Sequence, residues 1–159
     1  MTEKTLVFIK PDGMRRTLAG EIIKRFERAG LTMVACKLTL LDEKTAKEHY
    51  KEHAEKDFFP HIINFITSAP IIIMVFEGVE AVENVRKLVG DTYPNEAKPG
   101  TIRGDFAHID KDRGDKKDIG VSNLIHASSD KGAAKEETER FFDKSEIHSW
   151  KRCDDEYVR

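Results

Sequence analysis

Pro70-Ile71-Ile72-Ile73-Met74-Val75-Phe76 is the longest apolar run in the chain. It is too short to cross a bilayer and too β-rich for a helix, so it is expected to be a buried strand. The rest of the fold can be read outward from it. On its C-terminal side, Val79–Val89 has helical character and ends at Gly90. On its N-terminal side, Phe58–Thr67 is a helical piece, and Asp42 can cap a helix from Glu43 to about His53. Leu31–Leu41 alternates in part and is expected to be a strand. Gly20–Ala29 places Ile22, Ile23 and Phe26 on one helix face and is closed by Gly30. Thr5–Ile9 is a compact apolar run stopped by the turn signal Pro11-Asp12-Gly13. Beyond a long loop, Gly120–Ile125 is expected to be a strand. A helix from Lys131 to Phe142 follows, capped by Ser129 or Asp130, with Ala134, Thr138 and Phe141 on one face. With its extra helix removed, the order is βαββαβ. That is the α+β ferredoxin-like plan, an antiparallel sheet with helices on one face and additional helices.

The chain has 159 residues, enough for one domain spanning 1–159. Hydrophobic residues make up 39% and charged residues 35%, with a net charge of −2. A charged, balanced surface gives no bulk attraction to nucleic acid or to an anionic membrane. Cys36 and Cys153 form no CxxC pattern, so neither a disulfide framework nor a zinc site is indicated. The N-terminal residues lack the features of a signal peptide, which predicts a reducing, cytoplasmic setting. The charged stretch Asp110–Asp118 is expected to be a solvated loop, an extension at about 108–120. The tail is polar, with Trp150 as its anchor.

The chemistry is concentrated in Asn123-Leu124-Ile125-His126-Ala127-Ser128, with Glu137 eleven positions after His126. Imidazole is nucleophilic near neutral pH, and a carboxylate can fix its tautomer and stabilise the cation formed on attack. A histidine on an apolar strand is more often a packed core residue, so other signals are needed. No Walker A motif and no GxGxxG after a strand is present, so any phosphate must be held by separate side chains. Lys10 ends the first strand, Arg86 lies in the helix before Gly90, and Thr92 follows. Arg103 sits in Pro99-Gly100-Thr101-Ile102-Arg103-Gly104-Asp105. Taken singly, each has a plainer reading: a solvated strand end, a surface helix charge, an ion pair with Asp105.

Taken together these stretches resemble the nucleoside diphosphate kinases over nearly the whole chain. The matching segments are Lys10–Gly13, Gly20–Ile23, Glu48–Tyr50, Phe58-Phe59, Gly90–Thr92, Pro99–Asp105 and Asn123–His126. The resemblance implies an enzyme that moves the γ-phosphate of a nucleoside triphosphate to a nucleoside diphosphate by a ping-pong route. His126 is then the phosphorylated nucleophile, with Glu137 supporting its imidazole and Ser128 a nearby hydroxyl. Lys10, Tyr50, Arg86, Thr92, Arg103 and Asn123 match positions that hold phosphates and sugar. Phe58 matches the aromatic that stacks on the base, and Ile62 the apolar residue beside it. Mg²⁺ carried by the nucleotide's own phosphates is implied, so no protein metal ligands are required. A homo-oligomer, a hexamer by resemblance, is implied too.

Departures from the family pattern are local. The interval from Phe106 to Asn123 is several residues longer than usual. Ala127-Ser128-Ser129-Asp130 stands where Gly-Ser-Asp is usual, which predicts an altered helix cap with the hydroxyl retained. His49 and His53 have a zinc-ligating spacing, but a solvated helix face is the better reading. Cys36 is expected to be a small core residue. A non-catalytic nucleotide-binding module is disfavoured by the retained nucleophile. An RNA-binding sheet is disfavoured by the lack of basic excess and of aromatic strand motifs.

Overall fold

The computed structural model describes residues 2–109 and 122–158. The Pro70–Phe76 run lies in β3 (Ile71–Val79), beside β1 (Thr2–Ile9). With β2 (Thr32–Thr39) and β4 (Ile125–Ala127) they form one sheet in the order β2-β3-β1-β4. Every neighbouring pair is antiparallel. This is the ferredoxin-like arrangement expected from the element order.

Successive strand residues point to opposite faces, so an unbroken apolar run needs cover on both. Leu6, Phe8, Ile73 and Val75 share one face with a cluster that includes Ala46, Ile63, Ile66 and Phe141. Those four come from α3 (Glu43–His49), α4 (Phe59–Ile66) and α7 (Lys131–Phe141). Val7, Ile9, Met74 and Phe76 lie in the opposite cluster with Ile22, Phe26, Val85 and Val89. These belong to α2 (Ala19–Arg28) and α5 (Ala81–Val89), the two crossover helices of the plan. The crossover helices therefore lie on one face as expected, and the additional helices close the other. Without that second layer, Leu6, Phe8, Ile73 and Val75 would each lose about 1.5–3 kcal/mol of burial.

Several boundaries differ from the sequence reading. Pro11–Arg15 is a short helix, α1, where a turn was expected. Ile102–Phe106 is a second one, α6, capped by the Thr101 hydroxyl at 3.0 Å from Gly104 N. β3 continues to Val79, because that end pairs with Thr2 of β1. β4 begins only at Ile125, later than expected, and residues 120–121 lie outside the described part. The charged segment at about 108–120 falls almost wholly there too. Asp42 caps α3 through Thr45 N at 2.9 Å, and Asp130 caps α7 through Ala133 N at 2.9 Å.

Cys36 is exposed, contrary to expectation. A register irregularity between Met33 and Ala35 leaves both Val34 and Ala35 buried, which shifts the alternation by one. Cys36, like Leu38 at 65% exposure, then emerges on the edge strand beyond the helices. The tail runs along the same edge. His148 N donates to Val34 O at 2.8 Å, and the Trp150 indole N–H donates to Met33 O at 3.0 Å. Arg152 reaches Leu31 O, and the last short helix, α8 (Asp155–Val158), brings Val158 against Gly30. Trp150 is an anchor as expected, through its hydrogen bond, although the residue remains half-exposed.

Candidate active site

The register of β1 and β4 builds the centre of the site. Phe8 stands directly opposite His126, so both side chains leave the same face of the sheet. Their rings stack at 4.6 Å and 15°. Ser128 N donates to Leu6 O, which sets Ser128 two residues along on that same face. Above them lies α7, with Ala134, Thr138 and Phe141 buried. Glu137 is one turn along from Ala134 and so faces the sheet from the edge of that stripe. Its Oε2 meets His126 Nε2 at 3.0 Å and accepts from Ser128 Oγ at 2.6 Å. The Ser128 hydroxyl has one proton, and the shorter of its two contacts, to Glu137, takes it; the other is Leu6 O at 3.2 Å.

A carboxylate on Nε2 keeps the ring proton there and leaves the lone pair on Nδ1. The imidazole is pinned further by His49, edge-on at 4.7 Å and 78°. His49 is buried, not on a solvated helix face as the sequence suggested. Burial first, then the nearby His126, Arg140 and Lys10, push its pKa down to about 2, so it is neutral. Its Nδ1 can then accept from Arg140 Nη1, 3.4 Å away.

The end of β1 meets the start of β4 because the strands run antiparallel. Lys10 Nζ donates to Asn123 Oδ1 at 2.7 Å, and Asn123 Nδ2 donates to Thr92 O at 2.8 Å. Arg103 is buried and does not pair with Asp105, which binds Arg25 at 2.7 Å instead. Its guanidinium donates to the carbonyls of Asn123, Gly90, Asp91 and Ile125 at 2.8–3.2 Å. It thus ties the loop after α5 to β4. Gly104 lets this happen, since a Cβ there would overlap the Lys98 carbonyl.

Between Asn123 and Ile125 the backbone makes a tight turn. Ile125 N donates to Asn123 O at 2.8 Å, with Leu124 at φ +72°. A non-glycine residue held there costs on the order of 1–3 kcal/mol.

A pocket of about 1220 Å³ opens over this centre, and every predicted site residue except Ser128 and Glu137 lines it. Those two stand behind His126. Phe58 and Ile62, at the start of α4, form an apolar wall, and Phe58 is 43% exposed. Tyr50 is buried, and burial, with Glu137 and Asp12 nearby, holds its hydroxyl well above the usual phenol range. Arg86 from α5 and Thr92 also line the pocket and are exposed.

The cations here strain against one another. Burial and then Arg103 lower Lys10 to about 8. Burial and then Arg86 lower Arg103 to about 10. Such a cluster favours a bound polyanion, which relieves both penalties. Among the described residues, one group has the composition of a metal site: His49, His126 and Glu137, with ligand atoms within 4.8 Å. Its members are already hydrogen-bonded, and Arg140 and Lys10 lie close to His49, which disfavours a cation there.

Lys10, Arg86 and Arg103, the imidazole that Glu137 holds from behind, and an exposed aromatic wall thus meet around one cavity. The family model for nucleoside diphosphate kinase matches residues 3–147. The chain belongs to the nucleoside diphosphate kinase family. It is accordingly an enzyme, a phosphotransferase acting on nucleotides. The nucleoside diphosphate kinase of Haloquadratum walsbyi is 47% identical over 158 residues, 98% of this chain and 94% of that one. The Borrelia burgdorferi nucleoside-diphosphate kinase, a transition-state mimic with bound vanadate and ADP, superposes with a TM-score of 0.93 at 42% identity. The match covers 96% of this chain and 94% of that one. The halophilic kinase of Halobacterium salinarum in complex with CDP gives 0.90 at 43% identity, over 100% and 99% of the two chains.

Sequence reasoning missed two contributors. His49 had a helical spacing signal but no sign of burial against His126. Asp12 stood inside a quoted motif, read only as a turn residue.

Proposed function

We propose that phosphoryl transfer runs through Nδ1 of His126. The observation that carries this is the 3.0 Å bond from Nε2 to Glu137, with His126 lining the same pocket as Lys10, Arg86 and Arg103. The Nδ1 lone pair attacks the γ-phosphorus in line, an N–P bond forms, and the bond to the β-phosphate oxygen breaks. The diphosphate leaves with the electron pair. Lys10, Arg86 and Arg103 offset charge on the transferring group and the leaving diphosphate, the main contribution available in a loose transition state. Tyr50, Thr92 and Asn123 hold phosphate and sugar. A second nucleoside diphosphate then enters and the steps reverse, as ping-pong kinetics require. Phe58 stacks on the base with Ile62 beside it. A π-face is common to all bases, so purine and pyrimidine diphosphates are both accepted.

Mg²⁺ enters with the nucleotide as part of the substrate. The donor set fits this: cationic nitrogens and amides face the phosphates, which favours an ion bound through phosphate oxygens. The whole chain, 1–159, acts as a single domain in the cytoplasm. Among the described residues no helix is long and apolar enough to cross a membrane. It assembles as a homo-oligomer, a hexamer, for which the exposed Leu38 and Leu40 offer apolar contact.

Incubation with γ-labelled ATP, Mg²⁺ and no acceptor should give an acid-labile phosphoprotein that a nucleoside diphosphate discharges. Normal labelling of His126→Ala would refute the assignment.

A further inference from the structure

The strand that carries His126 starts from the Leu124 turn, in a conformation that L side chains avoid. Leu124 is also fully buried. Nothing in its own side chain favours φ +72°, so something must hold it there.

The Lys10–Gly13 segment does so from both ends of the residue. Leu124 N donates to Asp12 Oδ2 at 2.9 Å, and Leu124 O accepts from Lys10 N at 2.8 Å. Gly13 closes over the same peptide, where a Cβ would lie 2.9 Å from Leu124 O and 2.8 Å from the Ile9 side chain. The other oxygen of Asp12, Oδ1, is buried and has no hydrogen-bond partner among the described residues. A buried acceptor left without a partner is costly, so a purely structural optimum would not keep the carboxylate here.

The turn separates two working parts. On one side is Asn123, which holds Lys10 and Thr92. On the other is β4 with His126. If Leu124 relaxed to negative φ, the peptide plane would turn and those parts would move relative to each other. We propose that Asp12 is a positioning residue: it clamps the Leu124 turn and thereby sets His126 against the phosphate held at Lys10 and Asn123. The inference rests on His126 being the nucleophile.

A double-mutant cycle read by single-turnover phosphorylation of His126 tests it. Asp12→Ala should slow phosphorylation by about 10–100-fold, the range for lost positioning groups. Glycine takes positive φ freely. In a Leu124→Gly background, the same Asp12 substitution should therefore cost less than about threefold. Leu124→Gly opens a cavity, so all rates are taken at a temperature where circular dichroism shows every variant folded. Asp12→Asn keeps an acceptor oxygen of the same reach and should stay within about threefold of wild type. It also probes the clamp should the alanine variant not fold. Equal losses in both backgrounds would mean that Asp12 acts through its charge on Lys10 and Arg103, and would overturn the clamp. So would an Asp12→Asn variant as slow as Asp12→Ala, or an Asp12→Ala variant at the wild-type rate. Absence of phosphate on His126 in the wild type would instead remove the nucleophile assignment itself.

Discussion

His126 and Phe58 line the same pocket and are held in opposite ways. His126 is stacked on Phe8, flanked edge-on by His49 and hydrogen-bonded to Glu137, which Ser128 also holds. Phe58 sits at the N-terminal boundary of α4, 43% exposed, with His53 tilted against it at 5.7 Å. On the proposed mechanism in-line attack at His126 loses rate steeply with sub-ångström misplacement, which the several contacts on its ring would prevent. A stacking face at Phe58 would tolerate many partners and can remain open. Substitutions at the two ends should then separate rate from substrate range.

The largest effect should come from His126→Ala. Removing the proposed nucleophile should lower kcat by at least about 10⁴-fold, while nucleotide binding, measured by calorimetry, changes little. Comparable loss of binding would mean that the two ends are not independent.

Glu137→Gln should come next. It preserves shape but removes the charge that stabilises the imidazolium-like product, and should cost about 10–100-fold in single-turnover phosphorylation. Phe58→Ala should do the reverse. It should weaken nucleotide binding by about 1–3 kcal/mol and leave the saturated phosphorylation rate within a few-fold. If Phe58→Ala lowers the saturated rate more than Glu137→Gln does, the contrast drawn here is wrong.

The smallest effect is a proton count. Lys10, lowered to about 8, is partly neutral at pH 8.5 in the empty enzyme. Bound phosphate raises it, so nucleotide binding at that pH should take up part of a proton. Binding heats compared in two buffers of different ionisation enthalpy would measure this, and Lys10→Met should abolish it. The sign for stability follows. Between about 8 and the unfolded value of 10.5 the unfolded chain binds more protons, so Lys10's contribution to stability rises with pH across that window.

Much of this was legible in the sequence. The Pro70–Phe76 run, the caps at Asp42 and Asp130 and the closing glycines are local signals, and they placed the elements to within a few residues. The Asn-x-x-His and Pro99–Asp105 motifs selected residues that line the pocket. The misses were non-local. Cys36 was expected in the core as a small residue on a strand, and a register irregularity left it exposed. His49 was assigned to solvent from its helix alone, before Phe8 and α7 closed over it. Asp12 passed as a turn residue because its partner, Leu124, is 112 positions away.

The sequence by itself determined the kind and order of the strands and longer helices and the chemical groups available, since periodicity, capping and side-chain chemistry are short-range properties. Only the tertiary structure decided which groups meet. Antiparallel pairing of β1 with β4 sets Phe8 under His126 and Lys10 beside Asn123. The packing of α7 over that face delivers Glu137 to Nε2. Those contacts join residues as far apart in the chain as Phe8 and His126, and strand register, which no local pattern states, creates them.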